Sequence, residues 1–501
     1  MLGTSRKNSR TGKLLTAVAG FLLAVTVCPM AAHASEAARA VAYADINGTR
    51  CYYATVDEAA EAGYKGATIV MYRDWDLSKT FEVADSKTLT LDMNGHKITG
   101  NGKDSAIRVH EHADFTLKSS VDESFYYTGF DNETGEKSGM TITSGGLVTG
   151  GHSVIDAGGI NMDGDCNVTL DNVAVAGNDS AMGGGIQCHS NSTLKLENGS
   201  TVTHNRASED GGGIFMAGSE TDNISVVHLD NASVSANYAT YSGGGIDANV
   251  DNATIYLQNN STISDNTAQR GGGIFCNYTY FHVISKDRTG SINNNKATSG
   301  NDEDMTYGGG GIFVNRVRWS EHFGEISGVT LKGNNTVDKG GAIFINQPHT
   351  HVSYCQITDN GSDKDGGGIY VNDDNCSVTS CNVTGNVSGK NGTNYEGGGI
   401  YVTSKYDLTL DGLCTIKGNT RCIGGSADNL FLGDGSFGTH AYILGGVDAG
   451  SEVGIRTGMT KDQMVGKNIS TYTDGTYSMD ISNYGVTHGT DHNGDLWQRV
   501  G

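Results

Sequence analysis

At residues 209–216 the chain reads EDGGGIFM, and at 271–276 it reads GGGIFC. Near-copies stand at 183–188 (GGGIQC), 243–248 (GGGIDA), 309–314 (GGGIFV), 340–345 (GGAIFI), 366–371 (GGGIYV) and 397–402 (GGGIYV). The isoleucine after the glycines recurs as Ile160, Ile186, Ile214, Ile246, Ile274, Ile312, Ile343, Ile369 and Ile400. Its spacing runs from 26 residues (Ile343 to Ile369) to 38 (Ile274 to Ile312). Self-similarity at such a period has to be weighed before any count of globular domains.

A second marker alternates with the first, an aliphatic residue three before an asparagine. It stands as Val175/Asn178, Val202/Asn205, Val234/Asn237, Ile263/Asn266, Ile292/Asn295, Leu331/Asn334, Ile357/Asn360, Val383/Asn386 and Ile416/Asn419. Between the two markers lies a third stretch with period-two alternation, such as TLKLE (193–197), TIYLQ (254–258) and DLTLD (407–411). Turns rich in Asn, Asp, Ser and Gly separate these stretches. No segment of helical period and length lies between them to serve as a crossover. Three short strands per repeat and no helix predict an all-β fold, a right-handed parallel β-helix in which each coil bonds to the next. Glycine at the corners supplies positive φ or a close backbone approach, and asparagine tolerates the same turns.

Four regions follow. Residues 1–34 read as a signal peptide: Arg6, Lys7, Arg10 and Lys13 precede the apolar Leu14–Val27, and Ala32-His33-Ala34 supplies a cleavage site. Residues 35–84 form an N-terminal cap, with a short helix expected at ATVDEAAEA (54–62) to cover the first coil's open edge. The β-helix itself takes in 85–430, including earlier, less regular coils at 88–100 and 105–119. Residues 431–501 read as a C-terminal β cap or the start of an appended region.

The 73 glycines come with only two prolines and no triplet period, which excludes collagen, and the fixed register of apolar residues excludes disorder. A formal charge of −22 argues against nucleic acid or an anionic membrane as partner. No segment after residue 34 is apolar enough to span a bilayer. Cys188 and Cys276 sit two after the marker isoleucine, and Cys355, Cys381 and Cys414 two before the second aliphatic marker. These are expected to be buried core thiols.

The GGGI and IxxN pairs resemble the GGAI and FxxN repeats of the polymorphic outer-membrane proteins of chlamydiae, and GGAI itself stands at Gly340–Ile343. More broadly, 85–430 is similar to the β-helix of the pectate-lyase-like superfamily. That resemblance implies the fold strongly and an activity weakly, because such scaffolds carry both enzymes and adhesins. Two departures stand out: Val, Ile or Leu replaces the aromatic of FxxN, and no long C-terminal barrel follows.

The loop after each GGGI strand falls at the same corner of successive coils. It reads NYTYFH (277–282), NRVRWSEH (315–322), NQPHTH (346–351), NDDN (372–375) and TSKY (403–406). With coils about 4.8 Å apart, Tyr278, Tyr280, Arg316, Arg318, Trp319, His349, His351, Asp373, Lys405 and Tyr406 are expected to line one ligand-binding ridge. Tyr and Trp stack on sugar rings, while Arg, His and Asp bond hydroxyls or acid groups. The reading is an exported, secreted or cell-surface adhesin-like protein whose partners are glycans or cell-surface receptors. The alternatives are a polysaccharide lyase or glycoside hydrolase on an acidic polysaccharide, and a passive display stalk. No catalytic residue is assigned, since Asp373 and Asp374 are adjacent and an extended chain would point them to opposite faces. No cofactor is expected. A Ca²⁺ ion has no supporting motif, because Asp163-Gly164-Asp165 lacks further oxygen ligands and His349/His351 lacks a third zinc ligand.

Overall fold

The protein is a parallel β-helix, seen in a computed structural model. The structure describes residues 39–218, 224–277, 280–300, 307–315, 323–392, 395–422, 425–433 and most of 443–457, with four strands between 466 and 500. The signal-peptide reading of 1–34 lies outside the described residues.

One coil shows the unit. It has strands Ile246–Asn249, Asn252–Gln258, Thr262–Ser264 and Thr267–Ala268, a corner after each. Each pairs in parallel with its equivalent in the next coil: Ile246 with Ile274, Thr254 with His282, Ile263 with Ile292, Thr267 with Lys296. The fourth strand, two residues after each marker asparagine, was too short to show as a period in the sequence, yet it builds a ten-stranded sheet of its own. The alternating strands build a sixteen-stranded sheet. The GGGI and IxxN strands form two ladders that merge where Glu452–Thr457 pairs with both Thr415–Lys417 and Leu430–Leu432. Register is constant because the marker isoleucines and the residues two beyond them point inward and are fully buried, as Ile274 and Cys276 are.

Parallel pairing also takes in strands outside 85–430, from Thr68–Met71 to Thr476–Met479. Leu430 stacks on Ile400 where the glycines have given way to Asp428 and Asn429. Ahead of the coils, the hairpin Ala42–Ile46/Thr49–Tyr53 pairs antiparallel with Thr68–Met71 at the edge of the sixteen-stranded sheet. The helix Val56–Gly63 starts with a capping box: Thr55 Oγ1 accepts from Glu58 N at 3.1 Å and Glu58 Oε2 from Ala54 N at 3.2 Å. Its Val56, Ala59 and Ala60 join the same core as Ile69 and Leu89.

The three glycines do different work. The first of each triplet is left-handed, as at Gly271 (φ 57°) and Gly366 (φ 70°). The second and third have ordinary φ but no room: a Cβ on Gly272 would lie 2.4 Å from Lys296 O, and one on Gly273 2.6 Å from Gly311 O.

The marker asparagines form a continuous internal ladder. Asn266 is typical: its backbone N and Nδ2 both donate to Asn295 Oδ1 at 3.0 Å, and Nδ2 donates also to Val234 O at 3.0 Å. Its own Oδ1 accepts from the N and Nδ2 of Asn237, each at 3.0 Å. The same pattern links Asn178, Asn205, Asn237, Asn266, Asn295, Asn334, Asn360, Asn386, Asn419 and Asn429. The residue before each is left-handed, for example Asp265 (φ 58°) and Gly385 (φ 71°), which turns the corner so that the amide points inward.

Among the described residues eight cysteines are thiols, and seven of them are buried: Cys166, Cys188, Cys276, Cys355, Cys376, Cys381 and Cys414. Burial pushes Cys166 and Cys414 up to about 11 and Cys376 to about 12. Two outcomes are expected. A thiol reagent added to the native protein at neutral pH labels Cys422 quickly, while the seven buried thiols react only as fast as the protein unfolds; mass spectrometry of the labelled peptides checks this. Asn266→Ala strands two buried donors of Asn237, at about 1–3 kcal/mol each. A loss of roughly 2–5 kcal/mol in urea unfolding is therefore expected, with Asn266→Asp no better because its second oxygen meets Val234 O.

Candidate functional site

The residue between the two inward positions of each GGGI strand points outward, and its chemistry changes along the rod. From Phe275 onward it is aromatic, with ring centroids 5.3 Å apart for Phe275–Phe313, 4.7 Å for Phe313–Phe344 and 5.2 Å for Tyr370–Tyr401. Arg270 stands 5.0 Å over Phe275 and Lys339 5.0 Å over Tyr370. Phe275, Phe313, Phe344 and Tyr370 are nevertheless buried. This column is a second core that presents no platform to a ligand. Asp247 interrupts it between Phe215 and Phe275. Burial pushes its carboxyl well above the usual range, Asp210 adds to that, and Arg270 opposes it.

In the first coils the same outward column is polar. Arg108 is ion-paired with Asp156 and lies 3.9 Å from Asp163; His110 lies 3.1 Å from Asp163 and 3.5 Å from Glu82. Glu82, Arg108, His110 and Asp156 border a groove of about 460 Å³, with Asp163 behind it. Arg108 and His110 thus bridge Glu82, Asp156 and Asp163, which ties the first coils together. Among the described residues no group of three or more His, Cys, Asp or Glu is placed to hold a metal ion.

The exposed stripe lies on the sixteen-stranded sheet. Register puts His282, Glu325 and His351 in one column of successive strands, and Tyr280, Phe323 and His349 each stand two residues before them, His349 in a left-handed turn. Tyr280 and Phe323 meet edge to face at 5.3 Å, and His282 meets the same Phe323 ring at 5.6 Å. His282 Nδ1 lies 3.2 Å from Glu325 Oε2, and His351 Nδ1 lies 2.7 Å from Ser377 Oγ. Partial burial and the neighbouring His349 lower the His351 pKa, which favours a neutral imidazole. Phe323 keeps 41% of its surface exposed. Its presentation depends on Gly324, where a Cβ would lie 1.9 Å from the inward-pointing Phe281 ring.

Of the expected ridge, Tyr280, His349 and His351 therefore share one stripe. Asp373 is buried, and its Oδ1 accepts from Asp374 N at 2.9 Å, so it shapes the turn. Lys405 is exposed and Tyr406 half-buried, in the turn two coils beyond His349. Tyr278, Arg316, Arg318 and Trp319 lie outside the described residues. Sequence reasoning missed His282, Phe323 and Glu325. Their signal is the alternation of YFHVI and FGEIS, in which the outward positions carry the chemistry; His282 closes the loop NYTYFH, while Phe323 and Glu325 fall after the loop NRVRWSEH.

No family model matches this chain, and no curated protein is similar to it. The stripe is thus read on its own geometry.

One outcome tests the buried carboxylate. Its folded-state pKa is raised, so its cost to folding is absent below the unfolded value of 3.8 and grows as pH rises towards the folded value. Asp247→Asn is expected to be more stable than wild type at neutral pH, by at least ~1 kcal/mol. That gap should close as the pH falls to about 4; urea midpoints across pH 4–8 measure it.

Proposed function

We propose that this is an exported, adhesin-like β-helix protein that binds glycans or cell-surface receptors along the Tyr280–His351 stripe. The observation that carries the reading is the exposed Phe323 ring, wedged between Tyr280 and His282 with Glu325 and His351 alongside. An aromatic face beside neutral imidazole and carboxylate acceptors suits a polyhydroxylated ring, whose C–H face stacks while its hydroxyls bond the rim. The likeness of the GGxI and IxxN repeats to those of the chlamydial surface proteins supports the same reading, as does the signal-like sequence at 1–34. No helix among the described residues is long and apolar enough to cross a membrane.

Lyase or hydrolase action on an acidic polysaccharide is the second reading, and among the described residues the groove bordered by Arg108, His110 and Asp156 is the candidate place for it. It is the weaker of the two, because those groups are engaged with one another in ion pairs and hydrogen-bond-range contacts across the coils.

The test is a glycan panel probed with purified protein, scoring retention and chain shortening together. Retention without shortening is expected, with affinity reduced about tenfold in Phe323→Ala. Shortening that is lost in Asp163→Asn would replace the binding reading by the enzymatic one.

A further inference from the structure

Between Ser120 and Gly145 the repeat is broken by an arm, Glu123–Phe130 paired antiparallel with Lys137–Ser144. It lies along the outside of the IxxN ladder. Phe125 and Tyr127 are buried against Leu147, Ala174 and Ala176, the apolar outward residues of that ladder. Tyr127 Oη is 3.1 Å from His204 Nδ1, and the tip is fastened where Asn132 Nδ2 donates to Asp265 O at 2.6 Å. Close approach needs Gly177 (φ 70°), where a Cβ would lie 2.2 Å from Thr128 O.

The arm does not seal against the coils. A cavity of about 490 Å³ remains, lined among others by Lys97, Thr99, Tyr126, Phe130, Lys137 and His152. In so acidic a chain its lining is cationic. Among the described lining residues the one carboxylate is Asp179, and it is met by His152 at 3.1 Å and Arg206 at 3.3 Å. Lys97 lies 3.9 Å from Asp74, whereas Lys137 has an exposed ammonium 5.7 Å over the Phe130 ring and no carboxylate partner among the described residues. Thr99 lines the cavity, but its Oγ1 is turned into the wall, buried and without a hydrogen-bond partner among the described residues, so a rotation about χ1 is what would bring it to a bound hydroxyl or oxyanion. Tyr126 stands 73% exposed at the rim.

We propose that this cavity binds a sugar bearing a phosphate or sulfate group. The aromatic rim and the Thr99, Thr128 and Thr149 hydroxyls suit the sugar ring. The charge is supplied by lysines and no arginine among the described lining residues. Ammonium groups bind phosphate and sulfate oxygens as point charges, without the bidentate geometry that a guanidinium supplies. The site is separate from the Tyr280–His351 stripe, so either reading stands if the other fails.

Calorimetric titration of the purified protein tests it, with N-acetylglucosamine 6-phosphate, N-acetylglucosamine 6-sulfate, glucuronic acid, N-acetylglucosamine and inorganic phosphate as probes. Saturable binding of the 6-phosphate or 6-sulfate is expected, and the preference between them identifies the oxyanion. Lys137→Ala should weaken it about tenfold and Thr99→Val several-fold, with melting temperatures unchanged for the exposed lysine and Phe323→Ala binding as wild type. The proposal is overturned if neither charged sugar binds, or if Lys137→Ala binds as tightly as wild type. Glucuronic acid, the neutral sugar or inorganic phosphate binding as tightly as the charged sugars would overturn it too.

Discussion

Everything in this rod depends on the buried asparagine ladder. A solenoid coil has a corner, and at a corner the backbone leaves the ladder of strand hydrogen bonds and carries unpaired amides inward. Here each corner donor finds the side-chain oxygen of the next coil's asparagine, and that asparagine's Nδ2 reaches the preceding coil's carbonyl as well as the next oxygen. Asn237, Asn266 and Asn295 are wholly buried, and their side chains use donor and acceptor alike. The arrangement works only if the residue before each marker asparagine is left-handed and the coils keep register, so the same constraint favours Gly, Asn or Asp there, with His204 and Ala236 as the exceptions, and holds the isoleucines in line. Stability then accumulates from neighbour to neighbour, as expected of a quasi-one-dimensional fold.

Register passes the constraint outward. Once the interior columns are locked, every exterior column is locked too, and a residue's fate depends on what covers it. The Phe275–Tyr370 column is covered and becomes core, with Asp247 as the one carboxylate buried in it. The Tyr280–His351 stripe stays open. The IxxN face is partly roofed by the arm at 123–144, and the imperfect fit leaves a cavity. Three outward faces of one repeat thus acquire three different characters without any change in the interior.

The repeat was legible because stacking imposes it: an isoleucine out of phase would face solvent, and a Cβ on the second glycine would strike the next coil's carbonyl. The marker residues, the parallel sheets and the buried thiols could accordingly be read along the chain. The candidate site was legible only in part. Tyr280, His349 and His351 are legible from the stretches that follow the GGGI strands, but Asp373 serves its own turn, and the grouping of His282, Phe323 and Glu325 depends on the register between neighbouring coils.

What the amino-acid order determined by itself was the coil, since its signals are local and repeated, and each is enforced by the identical neighbour above and below. Tertiary structure alone decided which outward residues meet a ligand. Exposure depends on the path of non-repeating segments, and nothing in ESFYYTGF or KSGMTITS says that they fold back over Leu147 and Ala174. Nor does the sequence say that Gly324 yields its space to Phe281 so that Phe323 turns out to solvent. Such contacts are made once, between residues far apart in the chain, and so leave no period to read.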